Sequence, residues 1–147
     1  MADLVTGATG FTGGHLARML VSRGHQVRAL VRDRRRAADL EAAGIELVEG
    51  DLRDLAALDR AVAKIDRVYH IAAMYREAGL PADTYRAVNA TAVRDVIVAS
   101  KRAGVTRVVH CSTVGVHGDV EHPPANEDAP LRPGDVYQET KLEGEKL

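Results

Sequence analysis

The C-terminal part of the chain places a tyrosine and a lysine four residues apart, at Tyr137 and Lys141 in "YQETK". Residues i and i+4 share one face of a helix, so the two side chains can act on one group. A free tyrosine has a pKa of about 10, and a cation within about 4–6 Å lowers it by about one to three units. The spacing therefore indicates proton exchange with a substrate hydroxyl or carbonyl. The same spacing also fits a half-buried tyrosine beside a solvated lysine.

Two hydroxyl side chains, Ser112 and Thr113, follow an apolar run in "CSTVGVHG" (111–118). Ligands of parallel α/β sheets collect at the carboxyl ends of the strands. A hydroxyl at such a place can donate a hydrogen bond to a substrate oxygen and polarise it. Either hydroxyl could instead cap the end of the strand, so both remain candidates.

The N-terminal stretch "LVTGATGFTGGHL" (4–16) carries a glycine at every third position, at Gly7, Gly10 and Gly13. Glycine is costly inside regular structure, so its repetition needs a reason. One interpretation is a tight turn alone. The other is a dinucleotide-binding turn between a strand and a helix, where backbone N–H groups hold a pyrophosphate. The position at the first strand-to-helix turn favours the second interpretation.

The elements that would position these residues alternate along the chain. Helical patterns over 13–25, 54–65 and 87–104 separate short apolar runs, and a last helix is predicted from Tyr137 onward. The first pattern is predicted to end at Gly24 and the third at Gly104. The apolar faces that these patterns predict to be buried include Met19, Leu55 and Ile97. This alternation predicts a doubly wound parallel sheet with helices on both faces, an α/β fold. A long stretch rich in Pro, Asp and Gly, 117–136, is predicted to be a functional or mobile loop. The five predicted strands are 2–5, 26–31, 45–50, 67–73 and 107–116.

Composition limits the function classes. The chain has 147 residues, which predicts one domain, and only 3% aromatic residues, which predicts an aliphatic core. A net charge of −1 argues against nucleic acid or an anionic membrane as partner. The single cysteine, Cys111, excludes an intrachain disulfide. The six histidines lack metal-ligand spacing, so no metal site is expected. With no long apolar stretch and no secretory pattern, we expect a soluble cytoplasmic protein.

Six segments in order give the chain a family resemblance that extends over nearly its whole length. Together they resemble the short-chain dehydrogenase/reductase superfamily, and most closely its extended branch, the NAD(P)-dependent epimerases and dehydratases. The resemblance implies a Rossmann-type sheet, and the family's glycine motif has the three-residue spacing found here. The six segments are "TGATGFTG" (6–13), "GDLRD" (50–54), "YHIAA" (69–73), "VNATAV" (88–93), "CSTVGVHG" (111–118) and "YQETK" (137–141).

The resemblance implies a set of catalytic roles. Hydride passes between the nicotinamide and a substrate carbon in this family. Tyr137 would be the general acid/base, and Lys141 would lower its pKa and bind the nicotinamide ribose. Thr113 would orient the substrate oxygen, with Ser112 in reserve. His117 stands where the family usually has an aromatic residue, which is a departure from the pattern.

The resemblance also implies residues that bind the cofactor. Asp51 and Leu52 match a pair that contacts adenine, and Ala72 and Ala73 match small residues beside the cofactor. Asn89 matches a helix residue that orders the active site. Each of these five fits an ordinary structural role equally well. The full set is Gly7, Thr9, Gly10, Phe11, Thr12, Gly13, Arg32, Asp51, Leu52, Ala72, Ala73, Asn89, Tyr137 and Lys141.

The end of the second predicted strand indicates which nicotinamide cofactor is used. NAD-binding folds usually have an acidic residue there, which holds the ribose 2′-hydroxyl. This chain has Arg32 at that place, and a guanidinium suits a 2′-phosphate. The neighbouring arginines 34–36 add positive charge. We therefore predict NADP, while Asp33 leaves NAD open.

These observations predict an NAD(P)-dependent oxidoreductase, epimerase or dehydratase that acts at a hydroxyl or carbonyl carbon. The substrate would be a nucleotide sugar or a similar small molecule. Two alternatives remain: a dinucleotide-binding sensor without catalysis, and an inactive N-terminal fragment of such an enzyme. Family members usually continue beyond this point, so the resemblance implies that 1–147 is an NAD(P)-binding domain without its substrate region. It also implies a homodimer for the full-length protein.

Overall fold

The computed structural model describes all 147 residues and contains one sheet of five parallel strands. The strand order is β3-β2-β1-β4-β5, and every neighbouring pair is parallel. This confirms the predicted doubly wound sheet. The last two strands end earlier than their apolar runs, because the chain leaves the sheet there to form loops at its carboxyl edge. The strands are β1 (Ala2–Thr6), β2 (Gln26–Val31), β3 (Glu46–Glu49), β4 (Arg67–His70) and β5 (Arg107–His110).

Six α-helices connect or follow the strands. Gly24 and Gly104 take positive φ values of 80° and 76° just after the first and fifth helices, which confirms them as helix-ending residues. A π-helical segment, Ala87–Thr91, joins the fourth helix to the fifth. The helices are α1 (Phe11–Ser22), α2 (Ala38–Ala42), α3 (Leu55–Val62), α4 (Ala82–Arg86), α5 (Ala92–Arg102) and α6 (Val136–Lys146).

The core has two aliphatic layers, one on each face of the sheet. On one face α1 and α2 pack against β1, β2 and β3, and on the other α3 and α5 pack against β1, β2 and β4. The helical periodicity predicted burial for Met19, Leu55 and Ile97, but these side chains are 40%, 56% and 37% exposed. Each lies beside its helix's buried stripe, which in α1 runs through Ala17 and Leu20.

The topology brings the candidate residues to one edge of the sheet. β1 and β4 are neighbours, and the helices that follow them lie on opposite faces, so a crevice opens at the carboxyl ends of these strands. The glycine turn follows β1, the chain around Ala72 follows β4, and Thr113 follows β5. None of the helices has the length and apolarity that a membrane span requires.

Candidate functional site

The glycine turn lets three backbone segments approach closely. Gly7 follows β1 with a φ of 71°, which side-chain-bearing residues rarely adopt. A Cβ atom at Gly7 would lie 2.7 Å from the backbone nitrogen of Ala72. A Cβ atom at Gly13 would lie 2.3 Å from the carbonyl oxygen of Gly7. The turn therefore holds β1, the start of α1 and the chain after β4 in contact, and larger residues would separate them.

The N-terminus of α1 has unused hydrogen-bond donors. Gly10 occupies the N-cap position and has no side chain to accept from the first turn. The first hydrogen bond that enters the helix runs from the Gly14 N–H to the Gly10 carbonyl oxygen. The N–H groups of Phe11, Thr12 and Gly13 therefore have no acceptor within the protein. Unused donors at the positive end of a helix dipole fit a diphosphate, so this turn fits the predicted dinucleotide.

Arg32 is exposed directly after β2 and has no ion-pair partner. The neighbouring carboxylate of Asp33 is engaged locally, because it accepts a hydrogen bond from the Arg35 backbone N–H at 2.9 Å. Arg35 also contacts Asp33 through Nε at 3.5 Å. The free charge at this place is therefore a guanidinium, which is the group that suits a phosphate.

Asp51 and Leu52 follow β3 at the same edge. The hydrogen bonds that Arg53 donates to Asp51, at 2.7 and 2.9 Å, lower the pKa of this carboxyl to about 2, so it is ionised at neutral pH. Asp54, rather than Asp51, caps α3 by accepting from the Ala56 N–H. Leu52 packs partly against the core. The Asp51 carboxylate therefore lies at the carboxyl edge of the sheet, paired with Arg53, instead of serving as a helix cap.

Ala72 is fixed by a hydrogen-bonded chain that the sequence did not reveal. Its N–H donates to the Thr6 hydroxyl at 3.2 Å, and a 2.8 Å hydrogen bond joins this hydroxyl to Nδ1 of His70. Thr6 and His70 are both fully or almost fully buried. The pair therefore holds the backbone of Ala72 against Gly7. Ala73 comes next in the chain.

Thr113 and Tyr137 come together at the carboxyl end of β5. Tyr137 lies in the first turn of α6, and the Thr113 hydroxyl interacts with its phenol. Thr113 also accepts a hydrogen bond from the Gly115 N–H at 3.2 Å. The structure thus brings together the phenol predicted to exchange a proton and one of the two candidate hydroxyls.

Lys141 does not have the electrostatic effect on Tyr137 that the spacing predicted. Burial raises the pKa of Tyr137 above its ordinary value, the Cys111 thiol acts in the same direction, and Thr113 opposes it. The Lys141 side chain is buried, and its Nζ donates a 2.6 Å hydrogen bond to the Cys111 carbonyl oxygen. Burial also lowers the pKa of Lys141. The decrease in the Tyr137 pKa that the spacing predicted is therefore not found in this structure, because burial outweighs the lowering effects of Thr113 and the Arg76 charge.

Ser112, the other candidate hydroxyl, lies in a cavity between α5 and α6. Its Oγ is buried without a hydrogen-bond partner and lines a cavity of about 340 Å³ with Val93 and Ile97 of α5 and Gly144 of α6. The structure therefore brings Thr113, and not Ser112, to the phenol.

Asn89 fastens the chain after β4 to α6. Its Oδ1 accepts from the Met74 N–H at 2.8 Å, and its Nδ2 donates to the Met74 carbonyl oxygen and to the Thr140 hydroxyl at 3.0 and 3.2 Å. The side chain is completely buried and lies in the π-helical segment. Its amide is used within the protein, which fits an ordering role more closely than direct contact with a ligand.

The long stretch 117–136 is mostly exposed and irregular until α6 begins at Val136. His117, at the position expected to be aromatic, contacts the Ala129 carbonyl oxygen through Nδ1 at 3.1 Å. A cavity of about 460 Å³ is lined by residues of this stretch itself, none of which is in the predicted site. No three His, Cys, Asp or Glu side chains are grouped so that they could hold a metal ion.

Several residues at this edge were missed by the sequence reasoning. His70 and His110 occupy paired positions on β4 and β5, and their rings stack with centroids 5.4 Å apart. The matching strand sequences "RVYH" and "RVVH" were a usable signal, because the register pairs them residue for residue. Arg76 and Asp135, which contact each other beside Tyr137, had no signal in spacing because they are far apart in the chain.

Comparisons with known proteins agree with this geometry. Residues 4–147 match the family described as "NAD dependent epimerase/dehydratase family". Sterol demethylase protein B of Methylococcus capsulatus is 37% identical over 148 residues, which cover 99% of this chain and 45% of that protein. UDP-glucose 4-epimerase of Azospirillum brasilense is 35% identical, over 98% of this chain and 42% of that protein.

A solved structure of the same superfamily also matches nearly the whole of this chain. A short-chain dehydrogenase/reductase superfamily protein from Agrobacterium tumefaciens, with bound NAD, superposes with a TM-score of 0.88 and is 34% identical. The match covers 99% of this chain and 43% of that chain. This chain therefore spans less than half the length of each of these three proteins.

Proposed function

From the premise that this chain belongs to the NAD-dependent epimerase/dehydratase family of the short-chain dehydrogenase/reductase superfamily, we propose that it forms the dinucleotide-binding part of an oxidoreductase, epimerase or dehydratase. In this proposal Tyr137 exchanges a proton with a hydroxyl or carbonyl oxygen of the substrate. The observation that carries it is that one edge of the sheet holds two features. One is the N-terminus of α1 with its free N–H groups, and the other is the Tyr137 phenol beside the Thr113 hydroxyl.

The chain offers a binding group for each part of the cofactor. The glycine turn holds the diphosphate, with Thr9 and Phe11 exposed on its outer side. Arg32 and Asp51 receive the adenosine end, and the unpaired Arg32 guanidinium supports NADP over NAD. Ala72 and Ala73 leave room beside the fourth strand, and Tyr137 and Lys141 lie toward the nicotinamide end. When bound, the cofactor supplies the hydride donor or acceptor.

Tyr137 acts first as a proton donor. Its raised pKa keeps the phenol protonated at neutral pH, so it can donate to a carbonyl oxygen of the substrate. Thr113 donates a second hydrogen bond to that oxygen and stabilises the charge that develops on it. In the reverse direction the phenolate accepts the proton from a hydroxyl. Asn89 keeps the chain after β4 against α6, which fixes the helix that carries Tyr137.

The substrate class in this proposal is a nucleotide sugar or a similar small molecule with a hydroxyl or carbonyl carbon. The related proteins include one named for a sterol and one named for UDP-glucose, so both classes belong in the substrate panel. A sensor without catalysis would need neither Tyr137 nor the Thr113 hydroxyl beside it, and no feature of the site favours that alternative.

The test is a Tyr137→Phe variant of the whole protein, assayed with NADPH or NADH and a panel of nucleotide-sugar and sterol ketones. The variant lacks the proton but keeps the ring, so turnover should fall by about 10²–10⁴-fold while cofactor affinity changes by only a few-fold. Tyr69→Phe is the matched control, because it removes a phenol oxygen from β4 outside the site. Near-normal turnover in Tyr137→Phe would remove this residue from the mechanism.

A further inference from the structure

Arg76 lies between the chain after β4 and the start of α6, against the ring of Tyr137. Its guanidinium carbon is 5.7 Å from the ring centroid of Tyr137 and 5.7 Å from that of Tyr75. The two tyrosine rings meet edge to face, with centroids 5.1 Å apart. A guanidinium at this distance from an aromatic face is attracted by the negative charge of the π system.

Asp135 anchors the arginine in that place. Nε and Nη2 of Arg76 both lie 2.7 Å from Oδ2 of Asp135. The other carboxylate oxygen, Oδ1, accepts from the Gln138 N–H at 2.8 Å and so caps α6. One carboxylate therefore fixes both the guanidinium and the first turn of the helix that carries Tyr137.

We propose that Arg76 is a positioning residue for proton transfer: anchored by Asp135, its guanidinium holds the Tyr137 ring against Tyr75 and stabilises the phenolate that proton donation leaves behind. This inference rests on the proposed role of Tyr137. It assigns to Arg76 the electrostatic help that the sequence had assigned to Lys141, whose ammonium group is directed at the Cys111 carbonyl oxygen.

The groups that face Tyr137 act in opposite directions on its ionisation. Burial, the Cys111 thiol after β5, and Tyr75 raise the pKa of Tyr137, whereas Thr113 and the Arg76 charge lower it. Loss of the Arg76 charge removes one of the two opposing influences. The phenolate then becomes less stable, and the proton is harder to donate.

The experiment uses three variants of the whole protein. Arg76→Gln removes the charge, Arg76→Lys keeps it, and Arg86→Gln is the matched control. Arg86 also joins an earlier segment to α6, through a 2.9 Å contact from Nε to Oε2 of Glu143, but it does not contact Tyr137. Two readouts are taken: the pH profile of turnover, and the phenol titration followed by ultraviolet difference against Tyr137→Phe.

Arg76→Gln should raise the pKa of Tyr137 by about half a unit to one unit and lower kcat about 3–10-fold at neutral pH, with the cofactor KM unchanged. Arg76→Lys should recover most of the shift, and Arg86→Gln should change neither quantity. The inference is overturned if Arg76→Gln leaves the phenol titration unchanged, or if Arg76→Gln and Arg86→Gln lower kcat equally.

The phenol titration separates this inference from the proposed function. If Tyr137→Phe retains turnover, the proposed function fails, while the titration still shows whether Arg76 stabilises the phenolate. If Arg76→Gln does not fold, the comparison between wild type and Arg76→Lys decides. A kcat and a phenol titration within error of wild type in Arg76→Lys support the charge-based role, and a loss as large as that expected for Arg76→Gln contradicts it.

Discussion

Lowering the pH from 7 to 5 is expected to destabilise the fold through the stacked histidines His70 and His110. His70 is 1% exposed, and its Nε2 has no hydrogen-bond partner, nor has either ring nitrogen of His110. Burial, reinforced by the neighbouring His110 and Lys141 charges, lowers the pKa of His70 to about 3. Burial and Lys141 lower the pKa of His110 to about 4. Both rings are therefore neutral in the folded protein at any pH near neutrality.

The sign and size of the effect follow from proton uptake. Unfolded histidine has a pKa of about 6.5, so below that pH the unfolded chain binds protons that the folded chain does not. The stability that the neutral histidines contribute is fully present above about pH 6.5. It is lost as the pH falls toward their pKa values in the folded protein. At pH 5 the pH lies about 1.5 units below the unfolded pKa, so His70 lowers the free energy of unfolding by about 2 kcal/mol. His110 is partly exposed and contributes less. A typical domain has only about 5–15 kcal/mol of stability.

Urea denaturation at pH 7 and pH 5 measures this loss directly. Wild type should lose about 2–3 kcal/mol between the two pH values, whereas His70→Gln should lose about 2 kcal/mol less than wild type does. His122→Gln is the control, since that histidine is exposed in the loop. An equal loss in wild type and His70→Gln would refute the reasoning.

Two further predictions concern charge. Arg32→Ala should weaken NADPH binding about tenfold or more and leave NADH binding unchanged, because only the 2′-phosphate needs the guanidinium. Fluorescence titration measures the two affinities, and an unchanged ratio of NADPH to NADH affinity contradicts the NADP proposal. Asp3→Asn should lower the free energy of unfolding by about 3 kcal/mol in urea denaturation. Burial works against ionisation of Asp3, but the hydrogen bonds from Arg67 and His25 outweigh it and lower its pKa. A loss of less than about 1 kcal/mol would show that this completely buried carboxylate is not needed as a charge.

The fold was predictable because its signals are local. Alternating apolar runs and helical patterns define the parallel sheet, and the glycines of the first turn are needed where β1, α1 and the chain after β4 touch. Gly24 and Gly104 end their helices as their positions indicated. Each of these signals is carried by residues close together in the chain, although the contact of the glycine turn with Ala72 is formed only in the folded protein.

The electrostatics of the site were not predictable from spacing. Tyr137 and Lys141 do share a helix, but the pKa of the phenol depends on how much protein surrounds it, and the lysine's direction depends on the Cys111 carbonyl. The contact between Arg76 and Asp135 joins residues 59 positions apart. The ring nitrogens without a partner, Nε2 of His70 and both nitrogens of His110, likewise result from strand register and packing. Desolvation is a property of tertiary structure, so sequence spacing alone gave the wrong sign for Tyr137.

The most direct measurement of the central claim is a calorimetric titration of NADPH into this chain and two glycine variants, with the fold of each checked by circular dichroism. Gly13→Ala places a Cβ atom 2.3 Å from the Gly7 carbonyl oxygen and must displace the turn, whereas Gly24→Ala meets nothing within 4 Å and only strains a positive φ. We expect wild type and Gly24→Ala to bind NADPH within about twofold of each other, and Gly13→Ala to bind at least about tenfold more weakly. No binding by wild type, or equal affinity in Gly13→Ala, would contradict the assignment of the glycine turn as the dinucleotide site.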